Sequence, residues 1–490
     1  MKKPSAFLVT LYLPLWLLVP PLILVWFPFY VYRCLVKLIA LLLRPDLTNM
    51  LTPGDAIFSY DRIHTCPAST VVGHLELEGE VDPDHIRETL KTQVLSLRSE
   101  NGALVYPELG SRIKYFFGFS FWAKATTMQD PVRTIKEVMT HDELLNFKAQ
   151  LVHQPYKQNG ALWELLLVRR KNNSDEPPTT VVLIRFQHTL VDGVGSFHLL
   201  NKMVQPQNVQ LTKEISKKPG NISPIWYLGM PYDFVETCRE TSRSGCLAKD
   251  GKHWIPLSNN FLPSEAASRY TFHISEPIAF SRIRQLGAQH GVTGTAVMHS
   301  AILGAVRTSL CPKGETSFIT VETPLVPPWK RDRLLGNHIT HGKYLAPIGE
   351  LDVVKRLILT HEGLTAMKES TYSFTTAVLS NAIGTLPRPI LNQIRYRNDS
   401  YRKIFVGNVP GPGEETNFCG YVAKDMSLIY GFCVVWEVLG VGFITYGDNL
   451  RIGVFGNKNL LPRSGQAEEI ASSFMRELDD LQFVENMHNT

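Results

Sequence analysis

The sequence predicts an α/β protein of two domains behind an apolar N-terminal segment. Its 490 residues exceed the usual size of a single core, so two domains are the default expectation. In both halves, runs rich in β-branched residues alternate with amphipathic runs, which predicts sheets packed against helices. Ahead of them, residues 5–32 contain no charged side chain. These observations predict two α/β sandwiches and no finer architecture.

The apolar segment predicts a membrane anchor at residues 1–46. Its uncharged run exceeds the roughly 20 residues that a helix needs to cross a hydrocarbon core, and no small-residue cleavage site follows it. Pro20 and Pro21 would kink a spanning helix or turn a re-entrant hairpin, and both arrangements stay open. The segment either serves as an anchor only or also admits an apolar substrate.

The remaining chain divides at a stretch without periodicity. Residues 206–262 lose the regular spacing of apolar side chains and gain Lys, Ser, Gly, Pro and Asn, which predicts a linker. The predicted parts are therefore an N-terminal subdomain at 47–205 and a C-terminal subdomain at 263–490.

Apolar spacing predicts the elements of each subdomain. Strands are expected at 71–77, 161–168, 181–186, 270–274, 317–322, 402–408, 429–437, 439–446 and 450–456. Helices are expected from Asp82-Pro83 onward and at 135–151, 194–204, 280–289, 293–309, 352–370, 375–393 and 464–482. A polar loop separates the second and third of these strands, which predicts a hairpin.

The most informative motif follows the strand at 181–186. It reads Gln187-His188-Thr189-Leu190-Val191-Asp192-Gly193. A strand end can hold an imidazole in one orientation, and histidine titrates near neutrality, so His188 can take a proton from an alcohol or thiol. Asp192 is expected to pin the turn, and Gly193 to supply a conformation that other residues resist. A histidine with a purely structural role is the alternative.

Composition argues against several function classes. No Lys/Arg cluster interleaved with aromatic residues suggests nucleic-acid binding, and the net charge is only +5. Seven scattered cysteines, an odd number without a Cys-x-x-Cys pair, predict reduced thiols instead of a disulfide framework. His338 and His341 have no third ligand in a metal-binding pattern, so both are expected to be loop histidines and no metal is expected.

The His188 motif resembles the His-His-x-x-x-Asp-Gly motif of CoA-dependent acyltransferases, in which the second histidine is the general base. Gln187 takes the place of the first histidine. Four further segments, in matching order, resemble the bacterial-type wax ester synthase/diacylglycerol acyltransferase family, and the chain looks like an animal-like, membrane-anchored member. They are Thr-Pro-Gly-Asp-Ala-Ile-Phe at 52–58, Ala-Leu-Trp-Glu at 161–164, Gly-Asn at 336–337 and Gly-Asn-Val-Pro-Gly-Pro at 407–412.

The resemblance implies two chloramphenicol-acetyltransferase-like subdomains that form a pseudo-dimer around a central tunnel. It implies transfer of the acyl group of a long-chain acyl-CoA, a substrate with no cofactor beside it, to a fatty alcohol or diacylglycerol at a lipid membrane. The products would be wax esters or triacylglycerol. The expected site residues are His188, Asp192, Gly193 and Asn408 for catalysis, and Gln187, Trp163, Arg331 and Asn337 for substrate binding.

Two of these residues have a specific expected role. Asn408, or the backbone amides near it, would donate to the oxyanion of the tetrahedral intermediate. Arg331 is the expected basic partner of Asp192, because a buried carboxylate without a partner is costly.

Two departures keep a second hypothesis open. The family's Asn-Asp pair falls on Thr295 and Ala296, and Gln187 cannot act as a base. A catalytically weak, membrane-anchored lipid-binding or lipid-transport protein of the same fold is therefore the alternative. Because long-chain acyl-CoA is held on the cytosolic face of the endoplasmic reticulum, the expected location is that membrane with the catalytic region in the cytosol. The unpaired cysteines agree.

Overall fold

A computed structural model describes residues 6–59, 61–126, 130–171, 177–205, 224–247, 270–312, 316–326, 333–395, 403–430 and 439–488. The strands, in chain order, are β1 (Leu47–Met50), β2 (Thr70–Glu78), β3 (Ser111–Phe116), β4 (Phe119–Lys124), β5 (Val132–Met139), β6 (Trp163–Arg170), β7 (Thr179–Gln187), β8 (Val204–Gln205), β9 (Tyr270–Ile274), β10 (Ile278–Ala279), β11 (Ile319–Leu325), β12 (Thr340–Ala346), β13 (Lys403–Val409), β14 (Asn417–Phe418), β15 (Tyr421–Tyr430), β16 (Leu439–Tyr446) and β17 (Asn449–Asn457).

The α-helices, in chain order, are α1 (Ala6–Tyr12), α2 (Val19–Leu43), α3 (Pro53–Phe58), α4 (Pro83–Leu90), α5 (His141–His153), α6 (Gly193–Met203), α7 (Pro224–Leu228), α8 (Met230–Thr241), α9 (Phe280–Gln289), α10 (Gly294–Leu310), α11 (Val353–Glu369), α12 (Tyr372–Gly384), α13 (Arg388–Arg395) and α14 (Gln466–His488). Short 3₁₀ turns cover Leu13–Leu18 and Pro107–Gly110, and a π turn covers Lys91–Leu95.

Two seven-stranded sheets confirm the predicted α/β fold. The first has the strand order β5-β6-β7-β2-β15-β14-β8. The second has the order β10-β17-β16-β13-β11-β12, with β9 also paired to β17. A small third sheet, β1-β4-β3, lies beside the N-terminal helices. Each half therefore places helices against its own mixed sheet.

The C-terminal half contributes strands to the first sheet. β15 comes from the C-terminal half, yet it pairs antiparallel with β2 of the first sheet, with Leu428 opposite Gly73. β16 follows it in the chain and lies in the second sheet. The division at 47–205 and 263–490 stays a prediction, and any division of this kind has to allow for this crossing.

The predicted hairpin before the His188 motif is confirmed. β6 and β7 pair antiparallel, with Trp163 opposite Phe186, and β2 pairs with the other edge of β7. Val181, Val182 and Leu183 are buried on both faces of β7, as expected for a continuous β-branched run in a central strand. This strand ends at Gln187, so the motif begins at a rigid point of the sheet.

Two predictions from apolar spacing were wrong. The helix expected at 135–151 is two elements: β5 and α5, separated by Thr140, whose side chain forms a capping box with Glu143. The helix expected at 375–393 is likewise α12 and α13, with Pro387 between them. The linker at 206–262 stays a prediction, and its described part, 224–247, contains α7 and α8. Of the strand expected at 429–437, residues 429 and 430 belong to β15, and the others lie outside the described ranges.

The apolar N-terminal segment is helical. Within the described residues, one stretch, Val9–Leu43, is long and apolar enough to cross a membrane. Pro20 and Pro21 begin α2, and the 3₁₀ turn before them separates it from α1. By length and composition this stretch suits a membrane anchor or a signal sequence equally well.

Candidate active site

His188 lies directly after the last residue of β7. Its backbone N–H donates to the carbonyl oxygen of Ser69 at 2.7 Å, and its side chain is 8% exposed. The ring of Phe58 stacks on the imidazole, with 4.3 Å between ring centroids and 17° between the planes. The imidazole is therefore fixed in place and mostly shielded from water.

Asn337 fixes which nitrogen of His188 carries the proton. Its Nδ2 donates to the carbonyl oxygen of His188 at 2.7 Å, so its Oδ1 is the atom that lies 2.7 Å from His188 Nδ1. An amide oxygen only accepts, and Nδ1 must therefore carry hydrogen. Nε2 is then the basic nitrogen of the neutral ring.

Asp55 of α3 fixes the position of Asn337 through hydrogen bonds. Its Oδ1 accepts the backbone N–H of Asn337 at 2.8 Å, and its Oδ2 accepts from Arg333 Nη2 at 2.8 Å and from Thr52 Oγ1 at 2.7 Å. A Cβ at Gly54 would lie 2.7 Å from the carbonyl oxygen of Asn337, so glycine is required for this close approach. Asp55 thus links the front of the chain to the loop that orients His188.

The loop after β7 and the loop at 333–338 are joined along their backbones. Val191 and Gly336 form a parallel bridge, and the N–H of Gly336 donates to Leu190 at 3.1 Å. Gly336 has φ +106°, a conformation that side-chain-bearing residues rarely adopt. A residue with a side chain at 336 would break the bridge and displace its neighbour Asn337.

Asp192 supports the turn, as the sequence predicted. It is fully buried, and its carboxylate accepts the N–H of Gly195 at 2.8 Å and the N–H of His338 at 2.9 Å. Its expected partner Arg331 lies outside the described residues, whereas Arg333 of the same segment pairs with Asp55. Asp192 therefore caps α6 and joins it to the second loop.

The expected role of Gly193 was wrong. Its φ is not positive, and a Cβ built there would meet nothing within 4 Å. No backbone constraint therefore requires glycine at this position. The space beside Gly193, at the first turn of α6, is open, and Gly193 is five residues after His188 in the chain.

Two of the expected substrate-binding residues form hydrogen bonds within the fold, and their contact with a substrate stays a prediction. Gln187 is fully buried: its Oε1 accepts from the N–H of Thr189 at 2.6 Å, and its Nε2 faces the Phe58 carbonyl oxygen at 3.4 Å. Trp163 donates from Nε1 to the carbonyl oxygen of Leu109 at 2.8 Å. Both side chains stabilise the surroundings of β7, and Gln187 lies beneath the motif.

Sequence reasoning missed Asp55 and Phe58. The segment at 52–58 was noticed as a resemblance, without a role for any of its residues. A signal was present: Thr52 followed by Pro53 is typical of a helix start, and residues three apart in a helix share a face. Asp55 and Phe58 both use that face, one on Asn337 and the other on His188.

A family match covers the segment of the chain that supplies Asn337. The sequence model of the WS/DGAT C-terminal domain matches residues 335–482. This segment is therefore similar to a WS/DGAT C-terminal domain. It begins two residues before the asparagine that orients His188, while His188 itself lies before the domain.

Solved structures confirm the fold. The chain is similar to the wax ester synthase/diacylglycerol acyltransferase from Marinobacter aquaeolei VT8, with 18% identity, 89% of this chain and 100% of that chain covered, and a TM-score of 0.54. It is similar to the trichothecene 15-O-acetyltransferase from Fusarium sporotrichioides, with 9% identity, 88% and 95% covered, and a TM-score of 0.62. A tyrocidine synthetase epimerization domain gives 12% identity, 90% and 97% covered, and a TM-score of 0.54.

At these identities the likeness establishes a shared fold and no shared substrate. No curated protein matches the sequence. The WS/DGAT domain and the fold together support an acyltransferase.

The pKa of His188 is lowered from its ordinary value. Burial is the largest cause, while Asp192 and the bond to Asn337 oppose it in part. A lower pKa keeps the imidazole neutral at physiological pH, which is the form that can accept a proton.

The WS/DGAT domain contributes a second histidine near His188. His341 was expected in a loop but lies in β12, and His188 is close enough for its charge to affect the pKa of His341. Burial lowers that pKa to about 4. Its Nδ1 is buried and has no hydrogen bond within the described part of the chain. The sequence does not show that His341 lies near His188, because its place depends on the pairing of β11 with β12 and β13.

Three charged side chains, Glu322, Lys343 and Lys403, lie near His341. Lys343 and Lys403 each contact Glu322, at 2.7 Å and 2.8 Å. Although burial opposes its ionisation, the two lysines lower the pKa of Glu322 to about 2. The group carries one more positive than negative charge, on the strands next to His341.

One further group could hold a metal ion among the described residues. His74, Glu76 and Asp425 place one ligand atom each within 4.8 Å of one another. However, Lys148 lies 3.2 Å from His74 Nδ1, and Arg451 lies 2.7 Å from Asp425. Arg170 pairs with Glu76 at 2.6 Å, so two arginines balance the two carboxylates, and their charge opposes a metal ion.

Proposed function

We propose that this protein is an acyl-CoA-dependent O-acyltransferase that forms neutral lipid esters. Long-chain acyl-CoA would be the donor, and a fatty alcohol or a diacylglycerol the acceptor. The observation that carries the proposal is the bond between Asn337 and His188, because it prepares Nε2 as a base. Neither acyl chain nor acceptor is specified by that bond.

In this mechanism His188 Nε2 takes the proton from the acceptor hydroxyl. The oxygen attacks the thioester carbonyl, and the carbon–sulfur bond breaks when the tetrahedral intermediate collapses. CoA leaves as a thiolate and takes the proton back from His188. A positioned base contributes roughly 10²–10⁴-fold to the rate, and holding both substrates in register contributes on the order of 7–11 kcal/mol.

Asn408 remains our candidate oxyanion donor. It is half-buried near the end of β13, and its side chain forms no hydrogen bond within the described residues. An unpaired amide Nδ2 near the end of an internal strand suits this role. Gly407 and the residues after β13 offer backbone N–H groups as the alternative donors.

The two departures from the family's motifs, at Gln187 and at 295–296, argue less strongly for a lipid-binding protein once their positions are known. Gln187 is buried below the motif, so the loss of a histidine there leaves His188 Nε2 unaffected. Ala296 is buried in the core of the second half, where its N–H donates to the Thr293 cap of α10. The pair at 295–296 therefore supports a helix start and, among the described residues, forms no hydrogen bond to the His188 site.

The test is an esterification assay on the full-length protein. Long-chain acyl-CoA is offered with hexadecanol, diacylglycerol or a sterol, and ester and free CoA are both measured. Ester formation that disappears in His188→Ala supports the proposal. Saturable acyl-CoA binding without any ester would instead support the lipid-binding alternative.

A further inference from the structure

The N-terminal helix lies along the surface of the folded protein. Half-buried and buried side chains recur every three or four residues in α2, at Trp26, Phe29, Arg33, Val36 and Ala40. The last two are buried with Phe119 and Phe121 of β4. One face of α2 is therefore packed against protein over about four turns.

Polar bonds tie both ends of the apolar stretch to the same folded body. At its start, Tyr12 Oη donates to Glu236 of α8 at 2.9 Å. At its end, Tyr32 Oη donates to the Phe117 carbonyl oxygen at 3.2 Å, and Arg33 donates to that of Leu51. A helix crossing the bilayer would hold these ends roughly 30 Å apart on opposite sides. Here both ends meet one water-exposed domain.

The opposite face of the helix is apolar and exposed. Leu24 is 72% exposed, and Phe27, Leu35, Leu38 and Leu42 are also open to solvent. A continuous apolar surface of this length is unusual on a protein that is surrounded by water.

This apolar surface continues beyond the helix. Trp26 Nε1 donates to the Ala382 carbonyl oxygen of α12 at 3.1 Å, and Val378 and Leu379 lie one turn earlier on α12, 46% and 40% exposed. On the other side, Phe117 is 59% exposed at the tip of the β3–β4 hairpin, next to Tyr32. Elements remote in sequence therefore extend one apolar surface.

We propose that this surface lies flat in one leaflet of a lipid bilayer. It comprises the outer face of α2, the tip of the β3–β4 hairpin and the outer face of α12. The occupant is lipid, because the sequence carries no charge from 5 to 32. Tyr30 and Tyr32 suit the membrane interface. Exposed Lys37 follows them, where anionic headgroups would begin. A protein partner would need matching polar contacts along this run, and the run offers almost none.

The arrangement would bring an apolar substrate near His188, a consequence that rests on the proposed function. α12 packs on α3, where Gly384 leaves no room for a Cβ beside the Pro53 carbonyl group. α3 carries Phe58, which stacks on His188. Only two packed helices, α12 and α3, therefore lie between the proposed membrane surface and His188.

The first experiment tests whether the helix lies flat. Full-length protein with Cys34, Cys238 and Cys433 changed to serine receives Ser5→Cys or Asn49→Cys, and is inserted into sealed vesicles of phosphatidylcholine and phosphatidylserine. An impermeant maleimide should label both positions from the outside, to the extent seen in detergent. Labelling of one position only, with the other released by permeabilisation, would show a spanning helix and overturn the proposal.

The second experiment tests the surface beyond the helix. In the same background, a nitrobenzoxadiazole dye is attached at Phe117→Cys, at Leu379→Cys or at Leu351→Cys. Leu351 is the matched control, an apolar residue 73% exposed on the loop before α11. Spin-labelled lipids should quench the first two dyes several-fold more than the control. Equal quenching at all three positions, or quenching by aqueous iodide at 117 and 379, would contradict a lipid occupant.

Neither measurement uses a substrate. A flat membrane surface can therefore be established or lost independently of the esterification assay, and the two proposals fail separately.

Discussion

Asn337 Oδ1 lies 2.7 Å from His188 Nδ1, and the same side chain donates to the backbone of His188. The amide therefore cannot turn without losing two hydrogen bonds, so it selects one tautomer of the histidine. Because Asp55 in turn holds Asn337, the basicity of Nε2 depends on residues from three separate parts of the chain.

His188→Ala should remove esterification while leaving folding and membrane association near normal. The side chain contacts Phe58 and Asn337, which other bonds also hold, so its loss removes mainly the base. We expect a fall in kcat of roughly 10²–10⁴-fold. His141→Ala, an exposed histidine at the start of α5, is the matched control. Unchanged turnover in His188→Ala would rule out the mechanism.

Asn337→Leu should lower kcat more than it changes KM. The substitution keeps the volume but removes the acceptor for Nδ1–H, so the neutral ring divides between two tautomers. The expected loss is about 10–100-fold, smaller than removal of the base itself. Steady-state kinetics with saturating acyl-CoA would measure it. A rise in KM with constant kcat would place Asn337 in substrate binding instead.

The acid limb of the pH profile should lie below pH 6.5. His188 acts as a base when neutral, and burial lowers its pKa from the ordinary value of 6.5, so activity should persist to lower pH than an exposed histidine allows. Asn337 favours the charged ring, so Asn337→Leu should move the limb further toward acid. The kcat/KM profile of both proteins checks this, and a limb above 6.5 would contradict the buried base.

The sheet containing His188 could be predicted from the sequence because its signal is local. Val181 to Phe186 form a β-branched and aromatic run, and β7 follows it closely. In contrast, 135–151 reads as one amphipathic stretch because Thr140 caps a helix that directly follows a strand. Boundaries of this kind depend on pairing with β6, which spacing does not reveal.

The support of the site could not be predicted, because it consists of contacts between distant residues. Asp55 and Asn337 are 282 residues apart in the chain, and His188 and Asn337 are 149 apart. The motifs identified the right segments, and Asn337 was chosen, but as a substrate ligand. The sequence places His341 in a loop because β12 has few β-branched residues to indicate a strand.

Asp192→Asn should lower stability as well as activity. The buried carboxylate accepts the N–H groups of Gly195 and His338, and the amide keeps one oxygen for only one of them. An unsatisfied buried group costs about 1–3 kcal/mol. Urea unfolding would show a lower midpoint and reduced folded yield. Normal stability with a selective loss of rate would move Asp192 into the chemistry.

Arg333→Met should destabilise the protein through Asp55. Asp55 is fully buried and would lose its charged partner, whereas Arg333 is itself partly exposed. We therefore expect about 1–3 kcal/mol, less than the full cost of an unpaired buried charge. Arg333→Lys keeps the charge and should recover part of this loss. An unchanged free energy of unfolding for the methionine variant would show that Asp55 is satisfied without Arg333.

None of the three glycosylation sequons should carry sugar if the catalytic region faces the cytosol. Asn172, Asn221 and Asn398 begin them, and all three lie outside the described residues. In the lumen, at least one of three acceptors in polar stretches should be modified. A helix lying flat in one leaflet keeps the whole chain on one side, so all three sequons share the same outcome. The control is an added Asn-x-Thr sequon behind a cleavable secretory signal. A mobility shift of the native protein on glycosidase treatment would place it in the lumen, away from the long-chain acyl-CoA that the proposed reaction needs.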